Sequence, residues 1–279
     1  MIRIELLKQL RRTSYWVVFG ILAVISVVVT IIIGLSSAAT PERLGDYGSV
    51  IPNSSGFTMA AIALNALLLF LIPLAVAIFA GESLAGEASW GSLRYLASRP
   101  VSRQRVLVSK LVVAGLYSLA AVVLVAVAGL VSGIATFGWH PLSVIDLQQA
   151  SPFASGLTTF SPLQALGRIG LATAIVAGTM IATFAFAALC STVTDRPFSA
   201  VAGGVLFTFV SRAVNDVPGF HVLGPWLPVT DKGAGLWTQV LFRPTDLSGY
   251  PHLALVQVAY AVVFLGSGWI WFTRKDVLS

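Results

Sequence analysis

Six long apolar segments restrict what this chain can fold into more than any other feature. They lie near 15–36, 59–80, 112–135, 166–189, 198–211 and 253–272. A helix needs roughly 20 apolar residues to cross a bilayer core of about 30 Å, and 198–211 falls short of that. This segment either continues to Val214, with Arg212 reaching outward, or is completed by re-entrant structure. The apolar runs are continuous and lack the alternation of a membrane β-barrel.

The composition supports a membrane protein. Hydrophobic residues make up 57% of the 279 residues and charged residues 10%, whereas soluble domains average about 45–50% and about 25%. The first segment is too long for a signal-peptide core, and no small-residue cleavage site follows it. The single cysteine, Cys190, excludes an intramolecular disulfide. We therefore expect one all-α integral membrane domain over 1–279, with about six transmembrane helices.

The basic residues predict the orientation of these helices. Most of the 17 Lys and Arg residues fall on one side of the predicted membrane, and the positive-inside rule assigns that side to the cytoplasm. This predicts a multi-pass protein of the cell membrane with both termini cytoplasmic. The net charge of +6 is then a consequence of topology and does not indicate a nucleic-acid partner.

Residues 1–14 have the pattern of an amphipathic helix. Ile2, Leu6 and Leu10 recur every four residues, while Lys8 lies on a different face. Such a helix is typical of the membrane interface. The alternative is that the basic residues of this segment only set the topology.

The segment 81–110, between the second and third apolar runs, carries the most information about function. Glu82 and Glu87 are acids in a predicted cytoplasmic loop, where the positive-inside rule favours bases. We expect a short helix that ends before Pro100, because the residue preceding a proline is disfavoured in the α region. The length and charge of the segment indicate a structured element rather than a simple connector.

This segment resembles the cytoplasmic loop of ABC-2-type permeases, the membrane subunits of ATP-binding-cassette exporters. The matching residues are Glu82, Gly86, Glu87, Gly91, Leu93, Leu96, Ser98, Pro100, Val101, Ser102, Arg103 and Lys110. Ser92 stands where that family usually has threonine, and Trp90 where it often has an acid or a glycine. With the six-span layout and the amphipathic N-terminus, the resemblance covers essentially the whole chain.

The resemblance implies that the loop is a coupling helix seated in a groove of a cytoplasmic ATPase. The residues it assigns to this contact are Glu82, Glu87, Gly91, Ser92, Leu93, Arg94, Leu96, Pro100 and Arg103. Asp195 and Arg196, in the second predicted cytoplasmic loop, would form a smaller contact. The alternatives are an ordinary positive-inside loop at 81–110 and a tight turn with a charge pair at 191–197.

ATP would bind a separate chain, because the sequence contains no phosphate-binding G-x-x-x-x-G-K-[ST] motif. We therefore expect no enzyme activity and no cofactor in this chain, with ATP and Mg²⁺ held by the partner. His140, His221 and His252 do not form a zinc motif, and we expect no metal site. The expected complex contains two permease subunits, identical or homologous, two ATPase subunits and surrounding membrane lipids.

Polar residues within the predicted spans are candidates for a substrate path. Asn65 and Gln257 either serve function or form interhelical hydrogen bonds. Pro73 should kink its helix and free a carbonyl for a neighbouring group. Arg168 either anchors the outer interface or binds an anionic substrate.

The outer segment 212–252 contains too many helix-breaking residues for one helix, yet it is apolar enough to enter the outer leaflet. We expect short re-entrant helices there, with Trp226 and Trp237 as gate or lipid-anchor residues. The alternative is an ordinary surface loop with interfacial tryptophans.

The function that the sequence favours is the permease subunit of an ATP-driven exporter, which moves a substrate outward across or out of the membrane. The alternative is a membrane scaffold or immunity-type protein that binds partners without transport. A secondary transporter is disfavoured, because the spans supply no acid or histidine for ion coupling and no matched pair of broken helices.

Overall fold

The computed structural model describes residues 2–37, 55–89, 103–145, 157–217, 224–229 and 249–274. The helices in these ranges are α1 (Ile2–Leu10), α2 (Thr13–Ser37), α3 (Gly56–Leu68), α4 (Leu71–Ser89), α5 (Arg103–Phe137), α6 (Pro162–Thr179), α7 (Ile181–Val193), α8 (Pro197–Asp216) and α9 (Tyr250–Arg274). Strands β1 (Leu142–Ile145) and β2 (Leu157–Phe160) form a two-stranded antiparallel sheet between α5 and α6. A single 3-10 turn covers Gly224–Trp226.

The prediction of an all-α membrane protein is confirmed. Among the described residues, six spans are long and apolar enough to cross a bilayer, and they are α2, α4, α5, the α6–α7 pair, α8 and α9. α8 has 20 residues and continues past Val214, so the fifth apolar segment is extended by its own helix. The interfacial segment 1–14 contains the predicted helix as α1, with Ile4 and Leu7 exposed and Leu6 packed against the core.

Close contacts between small residues hold the helices together. Gly133 of α5 lies so near α3 that an added Cβ would be 2.3 Å from the Gly56 carbonyl oxygen, and one at Gly129 would be 2.8 Å from Ala63. This glycine pair, four residues apart, lets the two helix backbones approach as small residues do in membrane bundles. An added Cβ at Gly204 of α8 would likewise meet α4 and α7.

The second predicted apolar segment, 59–80, is divided at Leu69 and Phe70, between the shorter helix α3 and the spanning helix α4. Pro73 has no N–H to donate to the carbonyl four residues earlier, which is that of Leu69. The guanidinium of Arg212, on α8, donates to the carbonyl oxygens of Leu69 and Leu68 at 2.8 and 3.0 Å. The predicted kink and its compensation by a neighbour are therefore confirmed, and Arg212 turns onto the kink rather than reaching outward.

We expect Arg212→Leu to lower the free energy of unfolding by about 1–3 kcal/mol, because the carbonyls of Leu68 and Leu69 lose their donors. Thermal unfolding of the purified protein in mild detergent measures the change. Pro73→Ala supplies the matched background, since an alanine N–H is able to bond the Leu69 carbonyl. Arg212→Leu should cost less in that background, and equal costs in both backgrounds would contradict this role for Arg212.

The helices on both sides of 90–102 are longer than the sequence predicted. Residues 81–89 continue α4 and residues 103–110 begin α5, although both stretches were assigned to a separate cytoplasmic segment with a short helix of its own. Gly81 lies inside α4, where it allows close packing against α8. An added Cβ at this position would be only 3.0 Å from Val201 of α8. Glu82 and Glu87 are tolerated in the helix because basic side chains lie beside them.

The fourth span is also divided, at Met180, between α6 and α7. The side chain of Gln257, on α9, accepts a hydrogen bond from the Ala182 N–H at 2.9 Å and donates to the Pro228 carbonyl. The interhelical hydrogen-bonding interpretation of Gln257 is therefore confirmed. The two divided spans are the second and the fourth, which do not hold corresponding positions in the two halves of a six-span chain.

Candidate functional site

A cluster of charged side chains joins α1 to the facing ends of α4 and α5. We call it the charged junction, and its members are Glu5, Lys8, Arg12, Glu82, Glu87 and Lys110. Three of these side chains are acidic and three are basic, so the junction is neutral as a whole. It lies immediately beside residues 90–102, the centre of the predicted coupling loop.

The ion pair between Glu87 and Lys110 is the centre of the charged junction. Lys110 Nζ lies 2.6 Å from Glu87 Oε1, and the two side chains are only 2% and 3% exposed. Burying either charge without a partner would cost several kcal/mol, so the two residues can be buried only because they pair with each other. Because Glu87 lies at the end of α4 and Lys110 near the start of α5, the pair fastens these two helices to each other.

The N-terminal helix supplies the remaining partners of this pair. Glu5 Oε1 lies 3.0 Å from Lys110 Nζ, and the Lys8 ammonium donates to Glu87. Arg12, just after α1, lies 3.8 Å from Glu82, which is a looser and more exposed contact. The N-terminal helix is therefore held by charges to both helices that flank 90–102.

Two neutral contacts extend the charged junction. The Tyr117 hydroxyl of α5 donates to the Leu6 carbonyl of α1 at 3.3 Å. The Ser191 hydroxyl of α7 accepts from the backbone N–H groups of Leu84 and Ala85 at 3.1 and 2.9 Å. Ser191 begins the second predicted cytoplasmic segment, 191–197, so that segment is tied directly to α4.

The structure describes the predicted ATPase-contact residues only in part. The residues Gly91, Ser92, Leu93, Arg94, Leu96 and Pro100 lie outside the described residues. Arg103 is the first residue of α5. Asp195 and Arg196 are exposed between α7 and α8, where the Arg196 backbone caps the start of α8 before Pro197. The contact of these residues with an ATPase stays a prediction.

The predicted substrate-path residues are dispersed over several elements. Asn65 is half-buried on α3, and the Arg168 guanidinium of α6 lies 3.9 Å from the centre of the Phe160 ring. Trp226 is 59% exposed, with its ring against His252. Trp237 lies outside the described residues. None of the three described candidates lines the apolar cleft of about 380 Å³ between α4, α5 and the α6–α7 break.

The described part of the outer segment reaches into the protein. Pro228 and Val229 are buried, and the Pro228 carbonyl meets Gln257. Gln257 lies roughly 10 Å along α9 from its first residue, Tyr250, at about 1.5 Å per residue. Irregular backbone at that depth is covered by protein, which is the condition for its presence in a membrane. This placement supports the re-entrant interpretation of 212–252.

We expect the backbone amides of 220–242 to exchange slowly with D₂O when the protein is held in lipid discs, because re-entrant structure protects its hydrogen bonds. Gln257→Leu should accelerate exchange around Leu227, because the Pro228 carbonyl loses its donor. Hydrogen–deuterium exchange read by mass spectrometry measures both effects.

The matched control for this prediction is Val258→Leu, since Val258 is an exposed neighbour on α9. It should leave the exchange pattern unchanged. Uniformly fast exchange over 220–242 in the natural protein would instead support an ordinary surface loop. Trp226 and Trp237 would then have no role as gate residues.

Sequence analysis selected Glu82, Glu87 and Lys110 but missed their partners on α1. The residue that could have indicated this contact is Glu5, because it is an acid among the basic residues of the N-terminus. The positive-inside rule already accounts for the basic residues of the N-terminus, so the sequence indicates no specific partner for Lys8 or Arg12. Ser191 was also missed, since a serine at a helix end is common.

Six apolar spans and a buried charged junction at one end define an α-helical multi-pass membrane protein. A family model described as a protein of unknown function, DUF2705, matches residues 23–278. The match covers most of the chain, which therefore belongs to the DUF2705 family. No match was found among curated proteins.

Proposed function

We propose that this chain is the membrane-spanning permease subunit of an ATP-driven exporter, with ATP hydrolysed by a separate cytoplasmic chain. The observation that carries the proposal is the buried Glu87–Lys110 pair and its link to α1. These two residues belong to the motif shared with ABC-2-type permeases, and they flank the predicted coupling loop. The proposal extends to a complex of two permease and two ATPase subunits.

The charged junction gives a physical route from the loop to the spans. A force on 90–102 acts on α4, which ends at Ser89, and on α5, which begins at Arg103. Because Glu87 and Lys110 fasten these helices together, α4 and α5 would tilt as one body and carry α1 with them. Rigid-body motion of this kind is a common means of converting nucleotide-driven displacement into opening and closing.

The burial of Glu87 refines the role that the resemblance implies for it. Its side chain is directed to Lys110 and Lys8 within the same chain and is only 3% exposed. We assign Glu87 to positioning the loop, and Glu82 to the same task through Arg12. Direct contact with the ATPase then falls to 90–102, with Asp195 and Arg196 as the smaller second contact.

The same proposal places 81–110 and 190–197 in the cytoplasm and 136–165 outside. We expect a cysteine at Ser143 to react with an impermeant thiol reagent in intact cells, and a cysteine at Ser102 to stay unlabelled. Cys190 is replaced first so that only the introduced thiol reports. Labelling at 102 without labelling at 143 would invert the orientation.

Recruitment of an ATPase to the membrane tests the proposal. We expect a P-loop ATPase encoded beside this chain, itself without membrane spans, to sediment with membranes only when the chain is co-expressed. Membranes that hold a Leu93→Asp variant at equal abundance provide the control and should recruit much less ATPase. An ATPase that stays soluble in the presence of the natural chain would favour the scaffold interpretation.

A further inference from the structure

We propose that a cleft between α1, α5 and α9 binds the phosphate headgroup of an anionic phospholipid. The cleft has a volume of about 640 Å³, and two arginines, Arg3 and Arg105, line it. It lies at the end of the bundle that carries the charged junction, but it is separate from that junction. The proposal concerns lipid recognition and does not depend on the presence of an ATPase.

The charges that line the cleft select an anion. Arg3 and Arg105 are both exposed, and none of the described residues that line the cleft is acidic. Within the described residues, neither arginine belongs to an ion pair, because the nearby acid Glu5 is directed to Lys110. Each planar guanidinium can donate two parallel hydrogen bonds to a pair of oxygens on the tetrahedral phosphate, so two of them on one cleft suit this group.

The start of α5 adds to this positive potential. Gln104 and Arg105 lie in the first turn of a helix of 35 residues and line the cleft. The N–H groups of a first helical turn have no partner within the helix, and the helix dipole makes this end positive. Gln104 also supplies a side-chain amide for a phosphate or glycerol oxygen.

Apart from Ser109, whose hydroxyl donates to the Val106 carbonyl, the remaining described walls of the cleft are apolar, which favours a lipid over a free anion. Ile2 of α1 and Val108 of α5 are each 43% exposed, and Trp269 of α9 completes the wall. Tryptophan is enriched at the level of lipid headgroups, where its ring is partly apolar and partly polar. A phospholipid can place its anionic headgroup against the arginines and its acyl chain against the apolar wall. Inorganic phosphate can contact only the arginines.

Lipid binding to the purified full-length protein tests the proposal. After delipidation in neutral detergent, dioleoyl phosphatidylglycerol or dioleoyl phosphatidylcholine is added, and bound lipid is counted by native mass spectrometry. Two basic residues near a membrane surface correspond to about a thirtyfold preference for the anionic lipid. We expect a preference of that order in the natural protein and a preference below about threefold in the double variant Arg3→Gln/Arg105→Gln.

The matched control removes two exposed arginines outside the cleft, by Arg11→Gln/Arg274→Gln, and should keep the preference. An undiminished preference in the Arg3→Gln/Arg105→Gln variant would overturn the proposal. An equal loss of lipid preference in both double variants would show that the preference depends only on net charge, and would also overturn the proposal. Displacement of the lipid by glycerol phosphate at comparable concentration would assign the cleft to a free anion instead.

Discussion

Replacing Lys110 with methionine should destabilise the folded protein by about 3–5 kcal/mol, because the buried carboxylate of Glu87 loses its main partner. Lys8 is 47% exposed in its side chain and compensates only in part. Glu5 loses its contact with Lys110 at the same time. The midpoint of thermal unfolding in mild detergent, followed by tryptophan fluorescence, measures the loss.

The double variant Glu87→Gln/Lys110→Met should recover most of this stability, since it removes the buried charge together with its partner. Arg11→Met removes an exposed cation from the same end of the bundle and should change the free energy of unfolding by less than about 0.5 kcal/mol. If the double variant is as unstable as Lys110→Met alone, the ion pair is not what holds α4 and α5 together.

Replacing Leu93 with aspartate should abolish productive coupling while leaving the membrane fold intact. An apolar groove of the ATPase would receive an unpaired charge, which costs several kcal/mol when buried. The spans should insert normally, because position 93 lies between α4 and α5 and outside the six spans. Less ATPase should remain bound to the chain, so the ATP hydrolysis recovered with it, and any transport it drives, should fall sharply.

Leu93→Met is the matched control, since it conserves volume and apolar character and should keep near-normal activity. Thermal unfolding of both variants separates a coupling defect from a folding defect. A Leu93→Asp variant that assembles with the ATPase and functions normally would show that the loop is not the coupling element.

The spans were predictable from the sequence because their signal is local. A continuous apolar run of sufficient length has few alternatives in a membrane protein, and each of the six predicted runs overlaps one of the six spans of the described residues. The break beside Pro73 was also predictable, since proline removes a specific hydrogen bond. The break at Met180 was not, because no residue there forbids a helix and the compensating side chain, Gln257, lies far along the chain.

The charged junction was predictable only in part, because its signal is tertiary. The motif in 81–110 drew attention to Glu87 and Lys110, but hydrophobicity alone cannot pair them with Glu5 and Lys8. The same acids placed 81–89 in the predicted cytoplasmic segment, because a charged helix end has the composition of residues outside the membrane. The burial of Glu87 and Lys110 depends on partners that the fold brings from the N-terminus, and no local pattern reveals them.

Coupling of a separate ATPase to the membrane is the role that we propose for this chain. Affinity purification of the tagged full-length chain from its native membranes, with ATP hydrolysis measured on the product, tests it most directly. We predict that a P-loop ATPase without membrane spans co-purifies in equal amount and hydrolyses ATP, and that Leu93→Asp removes it while Leu93→Met retains it. Recovery of the folded natural chain with no such ATPase would contradict the claim.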